Sequence, residues 1–202
     1  MPLTSSLTFT RGDGMLSMSR WPARVKWRFR SPRYPLIDRE DPRLRQPAVS
    51  LPPSGMARAG STIQYLEDTL HWFQVRHGAA HGIAAPQIGV PERIIIVERE
   101  GREVPLVNPV ITRESTESRP VWERCMSFPH LAVCVRRPVS LSVRFVGRDG
   151  SPDLWEDLDP DQASVVRHEV DHLDGILTLD RAEGPGMVVP RDTLRDLYRP
   201  GH

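Results

Sequence analysis

The chain has 202 residues, 39% hydrophobic and 26% charged, which is enough for one ordinary domain with its own core. Its net charge of +1 is unevenly placed: residues 1–34 carry +6, which leaves −5 for residues 35–202 and gives the bulk of the chain no basic face for nucleic acid. No apolar run approaches the roughly 20 residues needed to span a bilayer, so no membrane partner is expected, and two cysteines, Cys125 and Cys134, are too few for a disulfide framework and point to a cytoplasmic, reducing compartment.

Residues 1–34 scatter Ser and Gly among excess Arg without sustained periodicity. An organelle-targeting segment and a disordered basic tail both fit, and the tail is the simpler reading. Residues 35–60 are punctuated by proline and read as an extended arm lying across a domain. Residues 61–76 read as a helix capped by Ser61 or Gly60, with Ile63, Leu66, Leu70 and Phe73 on one stripe and Gly78 as its stop. His71 and His77 are isolated on that pattern and read as surface or packing residues. The small-residue loop over 80–89 allows close backbone approach, and Pro86 fixes its path.

The β-branched run Arg93-Ile94-Ile95-Ile96-Val97-Glu98 predicts a buried strand, and residues 104–111 a strand pair or one bent strand. Alternation at Val133, Val135, Val139, Leu141, Val143 and Phe145 predicts a hairpin or meander. Gly147 to Gly150 reads as a turn and residues 154–158 as a further strand. Asp159 then caps a helix with Pro160 in its first turn. Several short, mostly antiparallel strands around one central helix predict an α+β domain over 35–182, with 183–202 a tail or a short helix facing Leu194 and Leu197 inward.

That central helix contains His168-Glu169-Val170-Asp171-His172. Residues four apart share a helix face, so His168 and His172 can offer their imidazoles to one metal ion, and Glu169 is placed to act as a general base on water there. Val165, Val166, Val170, Leu173 and Ile176 surround these polar groups and predict a largely buried helix, where unpartnered charge is costly. Two histidines leave a hydrolytic zinc-like site one protein ligand short. Cys125 is the best candidate for that ligand, although a free cysteine is also commonly just a small buried hydrophobe. Cys134, between Val133 and Val135, fits the latter description.

The loop His81-Gly82-Ile83-Ala84-Ala85-Pro86-Gln87, the segment Glu123-Arg124-Cys125-Met126-Ser127 and the helix His168-Glu169-Val170-Asp171-His172-Leu173-Asp174-Gly175 together resemble the three motifs of peptide deformylases, in the same order and at comparable spacing. The likeness runs from about Asp41 to about Arg181. It implies an enzyme with one Fe²⁺ (Zn²⁺ or another divalent metal as alternatives) that removes formyl from the N-terminal methionine of new polypeptides, with transient ribosome contact open. It further implies Cys125, His168 and His172 as ligands, Glu169 as general base and then acid, and the Gln87 amide and Met126 N–H as oxyanion donors. Gly82 would let peptide pair with the loop backbone, and Asp171 would orient the site from off the ligand face.

Ala80, His81, Arg124 and Arg167 depart from the family pattern without removing a ligand, the base or a donor. His81, Arg124, Asp161, Ser164 and Val165 are expected to border the cleft, and the polar members to alter preference for the first side chain. For Arg124 and Arg167 two readings stand: pairing with Glu123 or Asp161, or narrowing the cleft or binding an anionic group. Two alternatives to deformylation stand: an amide hydrolase for another formylated or acylated small substrate, and a non-catalytic binding relative.

Overall fold

The computed structural model describes residues 35–78 and 80–194, so the basic N-terminal stretch and residues 195–202 of the expected tail or short helix lie outside the described residues. Among the described residues, eight strands and two long helices follow in chain order: α1 (Met56–His77), β1 (Gly82–Ala84), β2 (Ile94–Arg99), β3 (Arg102–Glu114), β4 (Ser118–Glu123), β5 (Leu131–Pro138), β6 (Leu141–Val146), β7 (Pro152–Leu158), α2 (Pro160–Leu173) and β8 (Val188–Pro190). They form an antiparallel sheet in the order β1-β2-β3-β6-β7 and a smaller antiparallel sheet β4-β5-β8. This is the α+β class expected from the strand pattern.

The run in β2 is apolar throughout because both of its faces are covered. Ile94 and Ile96 pack with Ile63, Leu66, Leu70 and Phe73 of α1, whereas Ile95 and Val97 pack with Ala163, Val166, Val170 and Leu173 of α2. Side chains alternate across a strand, so one β-branched run supplies both cores. Helix α2 also contacts β5, which places it between the two sheets. Val166, Val170 and Leu173 are buried as expected, but Val165 and Ile176 are only partly so, because Val165 faces an open cleft.

Three local expectations need correction. Helix α1 begins at Met56, not at Ser61, since a single 3-10 turn at Pro53–Gly55 already winds the backbone into it; Gly78 ends it at φ 88°. Strands β5 and β6 alternate as expected but do not pair with each other: β5 joins β4 and β8, and β6 joins β3 and β7. The segment expected as tail or helix supplies β8, whose Val188 and Val189 pair with Val133 and Ala132.

Residues 104–111 form one bent strand. The bend in β3 falls at a register shift after Val107, where Asn108 adopts φ 51°. Its side-chain amide accepts from Leu51 N–H and donates to the Leu51 carbonyl, both at 2.8 Å, pinning the proline-rich arm. The same arm donates from Ile37 N–H to the Gln87 carbonyl (2.9 Å) and from Ala48 N–H to the Leu173 carbonyl (2.8 Å), so it braces both the small-residue loop and α2.

Glu103 lies opposite Glu98 across β2 and β3. Partial burial, with the charges of Glu67, Glu98 and Asp68, pushes its carboxyl up to about 7. The folded chain therefore keeps a proton that the unfolded chain releases nearer 4.5, and stability falls as pH rises through that window. Glu103→Gln is expected to stabilise the fold by about 1 kcal/mol or less at pH 8, solvent screening keeping the gain small, with no gain at pH 4. Paired denaturant melts at the two pH values check it; an equal shift at both would exclude the titration as its source.

Candidate active site

Local geometry brings the polar side chains of α2 to one place. The Asp159 carboxylate accepts from the N–H groups of Asp161 and Gln162 (2.9 and 3.0 Å), and Pro160 sits where its missing N–H costs nothing. From that start, His168 and His172 fall one turn apart on the same face, with ring centroids 5.1 Å apart. Cys125 follows the end of β4, and its Sγ lies 3.3 Å from His172 Nε2. One donor atom from each of Cys125, His168 and His172 falls within 4.8 Å of the others, and all three residues are buried.

The surroundings orient these donors. His168 Nδ1 lies 2.9 Å from Glu123 Oε2 and 3.2 Å from Thr178 Oγ1, which leaves Nε2 for the cluster. Glu123 Oε1 also accepts from Ser164 Oγ at 2.9 Å, and both carboxylate oxygens accept from Arg137. Burial alone would raise the Glu123 carboxyl, yet Arg137 and His168 hold it far below the usual carboxylate range. Burial disfavours a charged His168, but the charge of Glu123, the Cys125 contact and Glu169 outweigh it and raise its pKa well above 6.5. Burial, with the charges of His168 and Arg137, instead pushes His172 well below 6.5, so His168 alone of the pair favours the charged form.

Glu169 is 5% exposed, and burial, partly offset by His168, pushes its carboxyl up to about 7. Its Oε2 is buried without a hydrogen-bond partner, as is His172 Nδ1. A buried carboxylate oxygen with no partner is costly unless something external meets it. A soft thiolate, two imidazoles and that waiting carboxylate together fit a divalent transition metal and a water.

Gln87 Oε1 accepts from Ala84 N–H at 2.9 Å, so its Nε2 is turned toward the cluster, 3.5 Å from Cys125 Sγ and 3.3 Å from Ser127 Oγ. Met126 is buried beside Cys125 and packs with the α1 cluster. The cluster opens into a cleft of about 470 Å³, bordered by His81, Gly82, Gln87, Arg124, Met126, Ser164 and Val165 among others. Every residue expected at the cleft is therefore on its wall.

Contacts on that wall differ from several expectations. Gly82 is required by a close approach: a Cβ there would lie 2.7 Å from Glu169 Oε1. Arg167 pairs with Glu114 and Asp171, not with Glu123 or Asp161, and Asp161 pairs with Arg119. Arg137 and Thr178 belong to none of the three motifs, and Ser127, which ends the second, carried no role in the sequence reading. Arg137 nevertheless has a signal in the alternation Val133, Val135, Arg137, which puts a guanidinium on the inward face of β5.

Comparison with known proteins agrees with this geometry. A profile described as polypeptide deformylase matches residues 34–186. A peptide deformylase of Agrobacterium fabrum is 36% identical over 151 residues, covering 72% of this chain and 85% of its own, and one from Treponema pallidum is 41% identical over 112 residues, covering 55% and 68%. Among solved structures, the peptide deformylase of Synechococcus elongatus in complex with actinonin superimposes with a TM-score of 0.71 at 29% identity, covering 88% of this chain and 91% of that one. The Thermotoga maritima enzyme gives 0.68 at 28%, covering 75% and 98%. A fold, a buried Cys-His-His cluster and a profile match over most of the chain converge, and the chain belongs to the polypeptide deformylase family of hydrolases.

Proposed function

We propose that the chain hydrolyses the formyl amide at the N-terminal methionine of nascent polypeptides, with Cys125, His168 and His172 holding one Fe²⁺, or Zn²⁺ in its place. The observation that carries this reading is the convergence of those three donors beside the unpartnered, buried Oε2 of Glu169. When bound, the cation supplies a Lewis acid that acidifies water and polarises the formyl carbonyl.

The remaining chemistry belongs to the chain's own groups. Glu169 takes the proton of the attacking water at Oε2 and returns it to the amine nitrogen as the carbon–nitrogen bond breaks, leaving formate and a free N-terminus. Gln87 Nε2, its direction fixed by Ala84, donates to the developing oxyanion, and Met126 N–H is the second donor. Strand β1 is the edge of its sheet, so a peptide can lie beside Gly82 as an added strand.

Three of the polar side chains bordering the cleft already have partners within the chain: His81 with Glu98 (3.3 Å), Asp161 with Arg119, and Ser164 with Glu123. Val121, Trp122 and Val165 give the same cleft an apolar stretch of wall, which supports methionine as the first side chain. Nascent chains as substrate put the reaction in the cytosol; among the described residues no helix is long and apolar enough to cross a membrane.

Formate release from formyl-Met-Ala-Ser by anaerobically purified, Fe²⁺-loaded full-length chain tests the assignment. Release is expected to vanish on chelation and return when Fe²⁺ is restored, and formyl-Met peptides are expected to outpace formyl-Ser or formyl-Asp peptides. No release with the cation demonstrably bound would direct the chemistry to another formylated or acylated substrate.

A further inference from the structure

Arg137 is the bulkiest of the fully buried side chains among the described residues, 2% exposed, yet it belongs to none of the three motifs. Its Nε and Nη2 donate to Glu123 Oε1 and Oε2 at 2.7 and 2.8 Å, and its Nη1 donates to Asp171 Oδ2 at 2.7 Å. Glu123 ends β4 two residues before Cys125. Asp171 lies in α2, between His168 and His172 in sequence and directly before the latter. A single guanidinium therefore grips both elements that carry the sulfur and nitrogen donors, which come from segments more than 40 residues apart.

We infer that Arg137 is a positioning residue of the metal centre: by joining Glu123 to Asp171 it sets the separation between Cys125 and the His168–His172 pair. The inference rests on the metal-dependent reading above. A rigid fork of N–H groups reaches two carboxylates in one plane, whereas the single ammonium of lysine cannot hold both in the same geometry. Through Glu123 the clamp also reaches His168 Nδ1, and so the direction of its ligating nitrogen.

Charge neutralisation alone does not explain Arg137. Asp171 receives Arg167 Nη1 at 2.9 Å and Arg181 Nη2 at 2.7 Å as well, so its carboxylate is neutralised without Arg137. What the other two lack is a bond to Glu123. Arg181→Gln, on the same carboxylate but outside the bridge, is therefore the matched control.

The test uses the full-length chain with Co²⁺ as probe. Affinity is read by competition with a chromophoric chelator, the sulfur ligand by its near-ultraviolet charge-transfer band, and turnover with formyl-Met-Ala-Ser. Arg137→Lys is expected to weaken Co²⁺ binding about 10–100-fold, the range for partners that orient ligands, to alter the band, and to lower kcat with KM within about twofold. Asp171→Ala removes the acceptor on the helix side and is expected to reproduce the affinity loss, which covers the case in which the lysine variant does not fold. Arg181→Gln is expected to leave affinity within about twofold. Wild-type affinity and band in both clamp variants would overturn the inference, as would affinity losses that track melting temperature equally in all three. A wild-type chain that binds no Co²⁺ would instead overturn the functional reading.

Discussion

Glu169→Gln is expected to lower kcat for formate release at least ~10²-fold while cation affinity stays within a few fold of wild type. Glutamine matches glutamate in size and keeps one carbonyl oxygen, but it cannot take a proton from water and hand it on. The substitution puts no new bulk into a site where Glu169 is already buried against Gly82. Nor does Glu169 supply any of the three clustered donors, so the ligand set should survive. Metal content and formate release measured on the same preparations separate the two effects. A variant with full activity would remove Glu169 from the chemistry, and one that lost both cation and activity would show a structural role.

Gly82→Ala should cost nearly as much. The added Cβ would sit 2.7 Å from Glu169 Oε1, 2.8 Å from its Cγ and 3.0 Å from its Cδ, the first two closer than real Cβ contacts run and the third tighter than most. Something must give, and β1 has little freedom. Gly82, Ile83 and Ala84 are paired in register with Val97, Ile96 and Ile95, and Ile83 and Ala84 are fully buried between the helices. The Glu169 carboxyl is the part that can swing, and a displacement of about 1 Å at a reacting group costs on the order of 10²-fold. The expected result is kcat reduced about 10²-fold with the cation retained. Because the damage passes through Glu169, the double variant with Glu169→Gln should be no slower than Glu169→Gln alone, a non-additivity that stopped assays on both backgrounds can read. Fully multiplicative losses would place the effect of Gly82 elsewhere, for example in peptide pairing along β1.

Local periodicities, and the motifs riding on them, are legible in the chain before any long-range contact is known. The i, i+4 spacing of His168 and His172 places both rings on one face before any neighbour is known, because helix geometry alone does so. The Asp159-Pro160 start of α2, the Gly78 stop of α1 and the doubly buried run Ile94 to Val97 are equally local, each settled by backbone conformation within a turn or two. Three ordered motifs then carried the family likeness across most of the chain.

Partners across the fold come from packing instead. Alternation marked β5 and β6 as strands, but their assignment to different sheets depends on which distant edge each one meets. The same holds for charge: Arg167 could face several carboxylates from its place in the sequence, and packing gave it Glu114 and Asp171. Engagement of His81 with Glu98, Asp161 with Arg119 and Ser164 with Glu123 likewise needs contacts from 17 to 42 positions away. Arg137 shows the division most clearly. Its parity on β5 put a guanidinium inward, but only the meeting of β4, β5 and α2 supplied the two carboxylates that make burying it tolerable.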